Sequence, residues 1–188
     1  HTVQYSIDEA FVECDRKDAL AYAEAIRARV NEWVGVPLSV GIAPTQVLAK
    51  FANGIAKKES GIAVIDDPKV DERLLSSSVR AIWGVGRSTA DTLEAHNIKT
   101  IQDLLSTSLG SLRKILGVHG ERLLFELGGT KTDTERSGLT HSLMSTRSFG
   151  APLTTKKHLM GALSHHVSYL GERLRKEGLL ASMISIEI

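Results

Sequence analysis

The sequence predicts an α+β protein in which short strands alternate with helices up to Pro68, an all-helical segment follows, and a smaller α+β portion closes the chain. Three observations carry this: the order hairpin, helix, strand, helix, strand before the Asp66-Asp67-Pro68 break; glycine-punctuated helical patterns with no strand between Asp71 and Gly129; and a long amphipathic pattern running into an alternating one at the end.

Val3, Tyr5 and Ile7 alternate on odd positions and Ala10, Val12 and Cys14 on even ones, so the inward phase switches across Asp8 and Glu9, which predicts a hairpin turning at the acidic pair. From Lys17 to Val34, Leu20, Ala23, Ile26, Val30 and Trp33 recur at helical spacing, with Arg27, Arg29 and Glu24 largely off that stripe. Pro37 to Ala43 is a short β-rich run, and Thr45 is placed to cap a helix reaching about Lys57. Gly61 to Ile65 supplies the next strand. Beyond the helical middle, Lys131 to Gly138 has the polar composition of a linker. A short strand is expected near Met144 to Phe149, then a helix from Thr154 to about Glu177 with Leu159, Leu163, Val167, Leu170 and Leu174 on one stripe, then a strand from Ser182 to Ile188. A two-stranded sheet on one helix is marginal alone, so this last portion reads as incomplete. The first residue lies within an apparent strand, without methionine, and both ends read as cut.

Composition narrows function mainly by exclusion. The 188 residues are 42% hydrophobic with a formal net charge of +1, so any contact with nucleic acid must come from local patches. No run approaches the roughly 20 apolar residues a bilayer span needs, and no signal peptide precedes the first strand, so no membrane partner and a cytoplasmic location are expected. The single cysteine, Cys14, allows no internal disulfide or cysteine cluster and reads as a small hydrophobe. His165 and His166 are adjacent on a helix and cannot both face one metal; they read as structural or solvent-facing, and His1 is assigned no role.

Consecutive carboxylates in a regular strand point to opposite faces, so Asp8 and Glu9 can share an ion only if the backbone turns there. Adjacent acids at a hairpin tip suit hard, oxygen-preferring cations such as Mg²⁺, and a two-metal site would need at least one further carboxylate; no other acid in this chain has an obvious claim. On spacing alone, a solvated turn is the favoured reading of the pair. On the helix after Thr45, Gln46, Lys50, Asn53 and Lys57 share a polar side opposite Val47, Leu48, Phe51 and Ile55, which lets Lys50 act as a point charge toward a phosphate. Lys57 and Lys58 read as solvated. Gly84-Val85-Gly86 before a helix running Thr89 to His96 has the form of a helix-hairpin-helix turn: glycines let a phosphate approach exposed amides at a helix N-terminus, without reading sequence. Gly117-Val118-His119-Gly120 repeats that pattern less clearly.

Several of these segments together resemble one family. Tyr5-Ser6-Ile7-Asp8-Glu9-Ala10-Phe11 closely resembles the palm motif of Y-family translesion DNA polymerases, and Ser39-Val40-Gly41-Ile42-Ala43 with Leu48-Ala49-Lys50-Phe51-Ala52-Asn53 resembles the strand-to-helix motif that follows it. Ile82-Trp83-Gly84-Val85-Gly86-Arg87, continued by Ile98 to Leu104, is similar to the thumb hairpin, and Arg147-Ser148-Phe149-Gly150 to the entry of the little finger. The wording is closer to the UmuC, ImpB and MucB branch than to the DinB branch.

The resemblance implies part of a polymerase palm over residues 1–67, a helical thumb with a helix-hairpin-helix over 68–130, a linker over 131–142 and the start of an α+β little finger over 143–188. It implies that Asp8 bridges two Mg²⁺ ions, that Glu9 helps hold the ion activating the primer 3′ hydroxyl, that Ser6 supports the acids, that Lys50 contacts the incoming nucleotide's phosphates, and that Gly84, Gly86 and Arg87 meet DNA. The missing metal ligand, the fingers and most of the little finger would lie outside these residues, so the isolated chain should not polymerise. Primer-template DNA and a deoxynucleoside triphosphate are the implied partners, with a sliding clamp and a recombinase filament, in the nucleoid-associated cytoplasm of a bacterium. The competing expectation is a non-catalytic helix-hairpin-helix DNA-binding module with a vestigial acidic hairpin.

Overall fold

The structure is a computed structural model that describes residues 1–132, 142–152 and 154–187; most of the expected linker, residues 133–141, lies outside them. The chain divides into two compact units, His1–Asp133 and Thr134–Ile188. Its class is α+β, as the alternation of patterns predicts.

The first unit opens with an antiparallel hairpin of β1 (Thr2–Gln4) and β2 (Ala10–Val12), in which Val3 faces Phe11 and Gln4 faces Ala10. The amides of Tyr5 and Ser6 both donate to the Glu9 carbonyl, at 2.9 and 3.2 Å, and close the turn. The hairpin is where the sequence predicts it, but the inward phase does not switch. With Val3 opposite Phe11, the odd positions of both strands share a face; Phe11 packs on Tyr5, while Ala10, Val12 and Cys14 are exposed. One bulky aromatic outweighs three smaller even-numbered side chains in deciding which face meets the protein.

Helix α1 (Ala19–Val34) ends at Gly35, whose left-handed backbone (φ 70°) donates to Asn31. It packs through Ala19 and Ala23, with Arg27 one turn on donating from Nε to the Leu38 carbonyl at 2.9 Å. Leu20, Ile26 and Trp33 of the predicted stripe are exposed, so the packed face is rotated toward the small residues and Arg27 lies on it. Small residues win there because they let the helix approach β3 closely.

Strand β3 (Val40–Ile42) pairs in parallel with β4 (Ile62–Val64), and α2 (Gln46–Ala56) makes the crossover that parallel pairing requires. Leu48, Ala52 and Ala56, spaced by four, are buried against this pair. The contact is so close that a Cβ on Gly41 would fall 2.2 Å from both the Ala49 carbonyl oxygen and the Asn53 nitrogen. Only glycine fits, and that closeness fixes where the polar side of α2 stands. The hairpin and the parallel pair remain separate two-stranded sheets.

After β4, Asp71 caps α3 (Glu72–Leu75) by accepting from the amides of Arg73 and Leu74. A 3₁₀ turn (Val79–Ala81) leads to α4 (Arg87–Ala95), α5 (Ile101–Ser106), α6 (Leu109–Leu116) and α7 (Val118–Leu127). Thr100 and Asp103 form a reciprocal capping box on α5, and Ser108 caps α6. The absence of a strand predicted for this segment agrees with the described residues, where the β contact is an isolated bridge between Ser78 and Thr100. Leu48, Ala52, Ala56, Ala63 and Ile65 join Leu74, Val79, Leu93, Ile101, Leu104, Leu112 and Leu127 in one buried cluster. Full burial of each large aliphatic side chain contributes about 1.5–3 kcal/mol.

In the second unit, α8 (Lys156–Lys176) is capped by Thr155 and half-buries Leu159, Leu163, Leu170 and Leu174. The strands expected near Met144 to Phe149 and from Ser182 onward do not form among the described residues. A strand exists only with a hydrogen-bonding partner, and neither segment has one. Ser145 instead bonds His166 Nδ1 at 2.6 Å, and the His165 and His166 rings meet at 5.9 Å, which gives both histidines a local structural setting. No helix among the described residues is long and apolar enough to cross a membrane.

Candidate functional site

The site is built on the hairpin turn. Asp8 sits on the turn and is exposed, while Glu9 leaves it on the same face as Tyr5 and Phe11. Ser6 Oγ donates to Asp8 Oδ1 at 2.7 Å, and this bond, helped by the charges of Lys50 and Lys57, holds the Asp8 carboxyl below its ordinary value of 3.8. Asp8 presents carboxylate oxygens to solvent.

Glu9 is ion-paired with Lys50, both side chains about a quarter exposed. Lys50 reaches it from the second turn of α2, whose start is fixed by Thr45 and whose height over β3 is fixed by Gly41. The Lys50 ammonium also stands 5.9 Å from the Tyr5 ring centroid, within range of the ring's negative face. The structure thus brings Ser6, Asp8, Glu9 and Lys50 to one place. Lys57 and Lys58 are exposed on the following turn.

Gly84, Gly86 and Arg87 occupy a second locus. The Val85 amide donates to the Ile82 carbonyl at 3.1 Å, closing a turn whose central residues are Trp83 and Gly84. Gly84 has φ +91°, a conformation glycine adopts without strain, and Gly86 is the N-cap of α4. No side-chain group caps that helix end, and no neighbouring heavy atom lies within 4 Å of a Cβ built on either glycine. Arg87 is exposed on the first turn. The arrangement presents open backbone amides and a cation together, a surface on which an anion can rest.

Sequence reasoning missed what joins the two loci. Trp83 packs edge-on against Tyr5, with centroids 5.1 Å apart, and tilted against Phe11 at 5.7 Å. All three residues stand inside motifs singled out by the sequence, but nothing in the linear pattern pairs them. Also unforeseen is the buried Thr45 hydroxyl, which donates to the Glu126 carbonyl.

The donor set at Asp8 and Glu9 is two adjacent carboxylates, which fits a hard divalent cation rather than a soft one. Among the described residues no third His, Cys, Asp or Glu gathers with them. The pair fits as part of a metal site, with further ligands required.

Comparison with known proteins bears on this geometry. A family model described as the impB/mucB/samB family matches residues 1–54, and one described as the C-terminal domain of that family matches 140–188. A third, described as DNA polymerase-iota, thumb domain, matches 80–127. Protein MucB of Escherichia coli is 33% identical over 198 residues, covering 100% of this chain and 47% of MucB. Protein UmuC of Salmonella typhimurium is 35% identical, covering 96% and 46%, and DNA polymerase IV of Oceanobacillus iheyensis is 31% identical, covering 97% and 45%. The chain spans about half the length of the curated relatives it matches. Among solved structures, DinB from Sulfolobus solfataricus superposes with a TM-score of 0.51 at 27% identity, over 63% of this chain and 38% of that one. The insertion ternary complex of Dbh DNA polymerase gives 0.52 at 26%, over 63% and 35%.

Proposed function

Because the chain belongs to the impB/mucB/samB family of UmuC-like Y-family proteins, we propose that it carries part of the catalytic and DNA-gripping machinery of a translesion DNA polymerase. The observation that supports this most is the cluster of Asp8, Glu9 and Lys50, which sets two carboxylates of the hairpin beside a cation of α2. Residues 1–67 act as part of the palm, 68–130 as the thumb and 143–188 as the start of the little finger.

In this reading Asp8 and Glu9 hold Mg²⁺, with the remaining ligand from residues outside this chain. When bound, Mg²⁺ supplies charge neutralisation at the triphosphate and activation of the primer hydroxyl. Ser6 orients Asp8 by donating to its carboxylate. Lys50 moves from Glu9 to a phosphate oxygen of the incoming deoxynucleotide, exchanging one anionic partner for another. The amides around Gly84 and Gly86, with Arg87, rest on a backbone phosphate of the primer-template duplex and fix its position without reading bases. Synthesis opposite damaged template, in a bacterial cytoplasm at the nucleoid and beside a sliding clamp and a recombinase filament, completes the proposal.

Primer extension by the complete protein on intact and lesion-bearing templates tests it directly, and no Mg²⁺-dependent extension on either template would refute it. The 188-residue chain alone should not extend a primer but should bind unrelated duplexes equally. Anisotropy across a salt series should give a shallow slope of about −2 to −4 in log affinity against log salt, since each phosphate contributes about −0.9. Duplex binding without extension by the complete protein would favour the non-catalytic module.

A further inference from the structure

None of residues 1–14 is buried, so the hairpin bearing Asp8 and Glu9 does not owe its position to the core. A two-stranded hairpin is marginally stable by itself, and contacts at its rim must orient it. Those contacts are unequal. Lys131 and Glu13 form an ion pair with both side chains more than half exposed, a kind of pair that orients little. The Glu9–Lys50 pair would open in the proposed reaction, when Lys50 turns to the nucleotide. The aromatic contact of Trp83 with Tyr5 and Phe11 involves no group consumed in that exchange.

Trp83 is also a corner of the glycine turn. It lies between Ile82, which is buried, and Gly84, inside the hydrogen bond from Val85 to Ile82, so the indole moves with that turn. Resting on the proposed function, we propose that Trp83 is a positioning residue that holds the Asp8–Glu9 hairpin in register with the duplex phosphate gripped at Gly84–Gly86. Through Tyr5, the backbone contact that seats the primer also sets where the carboxylates stand. The rigid, flat indole serves because its edge and face meet two rings at once.

Two measurements test this. In ¹H–¹⁵N spectra of the 188-residue chain, saturating duplex should shift the amide resonances of Tyr5 to Glu9. Trp83→Leu should abolish those shifts while duplex affinity stays within about threefold, and Trp83→Phe, which keeps a ring, should retain them. In the complete protein, Trp83→Leu should lower kcat for extension at least tenfold with the nucleotide KM within about threefold, and Trp83→Phe should recover most of the loss. A merely structural role would lower stability in both variants without this split. Hairpin shifts that persist unchanged in a folded Trp83→Leu chain, or that never occur in the parent at saturating duplex, overturn the coupling. Duplex-dependent shifts in a protein that never extends primers refute the polymerase reading and leave the coupling standing; extension without shifts does the reverse. Failure of the parent chain to bind duplex overturns the coupling, while extension by the complete protein decides the polymerase reading separately.

Discussion

Thr45 and Glu126, 81 residues apart in sequence, are joined by a buried hydrogen bond: the Thr45 hydroxyl donates to the Glu126 carbonyl at 2.8 Å. The same oxygen accepts from the Leu48 amide at 3.3 Å, so one atom caps α2 and ties it to α7. Thr45→Val should leave the buried Leu48 amide without its cap and remove the side-chain bond to the Glu126 carbonyl, which keeps the Gly129 amide at 3.2 Å, costing about 1–3 kcal/mol. Thr45→Ser keeps the oxygen and should lose well under half of that. Urea unfolding followed by circular dichroism measures both.

Two glycines near the site should respond to alanine with opposite signs. At Gly41 the new methyl meets backbone atoms of α2 at 2.2 Å, and overpacking of this kind costs about 1–3 kcal/mol. At Gly54, also on α2, the space is open, and Gly54→Ala should stabilise by about 0.5–1 kcal/mol. Thermal melts of the two variants, in parallel, check the contrast.

In the complete protein, Asp8→Ala or Glu9→Ala should abolish primer extension with duplex affinity nearly unchanged, since the carboxylates act on cations and developing charge rather than on the duplex. Lys50→Ala should chiefly impair nucleotide use, by about 1–3 kcal/mol in kcat/KM. Steady-state kinetics with titrated nucleotide separates the two classes, and extension retained by both carboxylate variants would remove them from the site.

Asp8 should titrate below 3.8 because Ser6 donates to its ionised form. A depressed carboxyl contributes stability that is present above its ordinary pKa and is lost as pH falls through the folded value. Ser6→Ala should raise the Asp8 midpoint toward 3.8, narrowing that acid window. A carboxyl-detected NMR titration reads the shift, and an unmoved midpoint would show that Ser6 does not hold the charge.

The parts of this molecule that announce themselves in sequence are those set by local chemistry. Thr45, followed by the apolar stripe of α2, marks the helix start, and the glycines at 84 and 86 mark the turn. Asp8 and Glu9 are legible as a pair because a turn is needed to make them useful. The phase of β2 was not legible, because Ala10, Val12 and Cys14 alternate as convincingly as Phe11 does not; only the partner ring of Tyr5 decides between them. The packed face of α1 is legible only in part: Ala23 lies on the expected stripe and is buried, whereas Leu20, Ile26 and Trp33 outweigh the buried Ala19 in a pattern and yet are exposed. The strands anticipated in the last portion lack partners among the described residues, and pairing over distance leaves no trace in a single alternating run.

The unburied hairpin also has a kinetic meaning. Its backbone bonds, from Thr2 to Val12, shelter no core side chain, whereas those of α2 enclose Leu48 and Ala52. Opening the hairpin therefore exposes little apolar surface and need not await global unfolding, so its amides should exchange with solvent by local excursions while α2 exchanges only when the whole unit opens. The carboxylates then belong to the least protected part of the fold and the lysine that answers them to the most protected, so that before substrate arrives the site exists as a fluctuating half facing a fixed one.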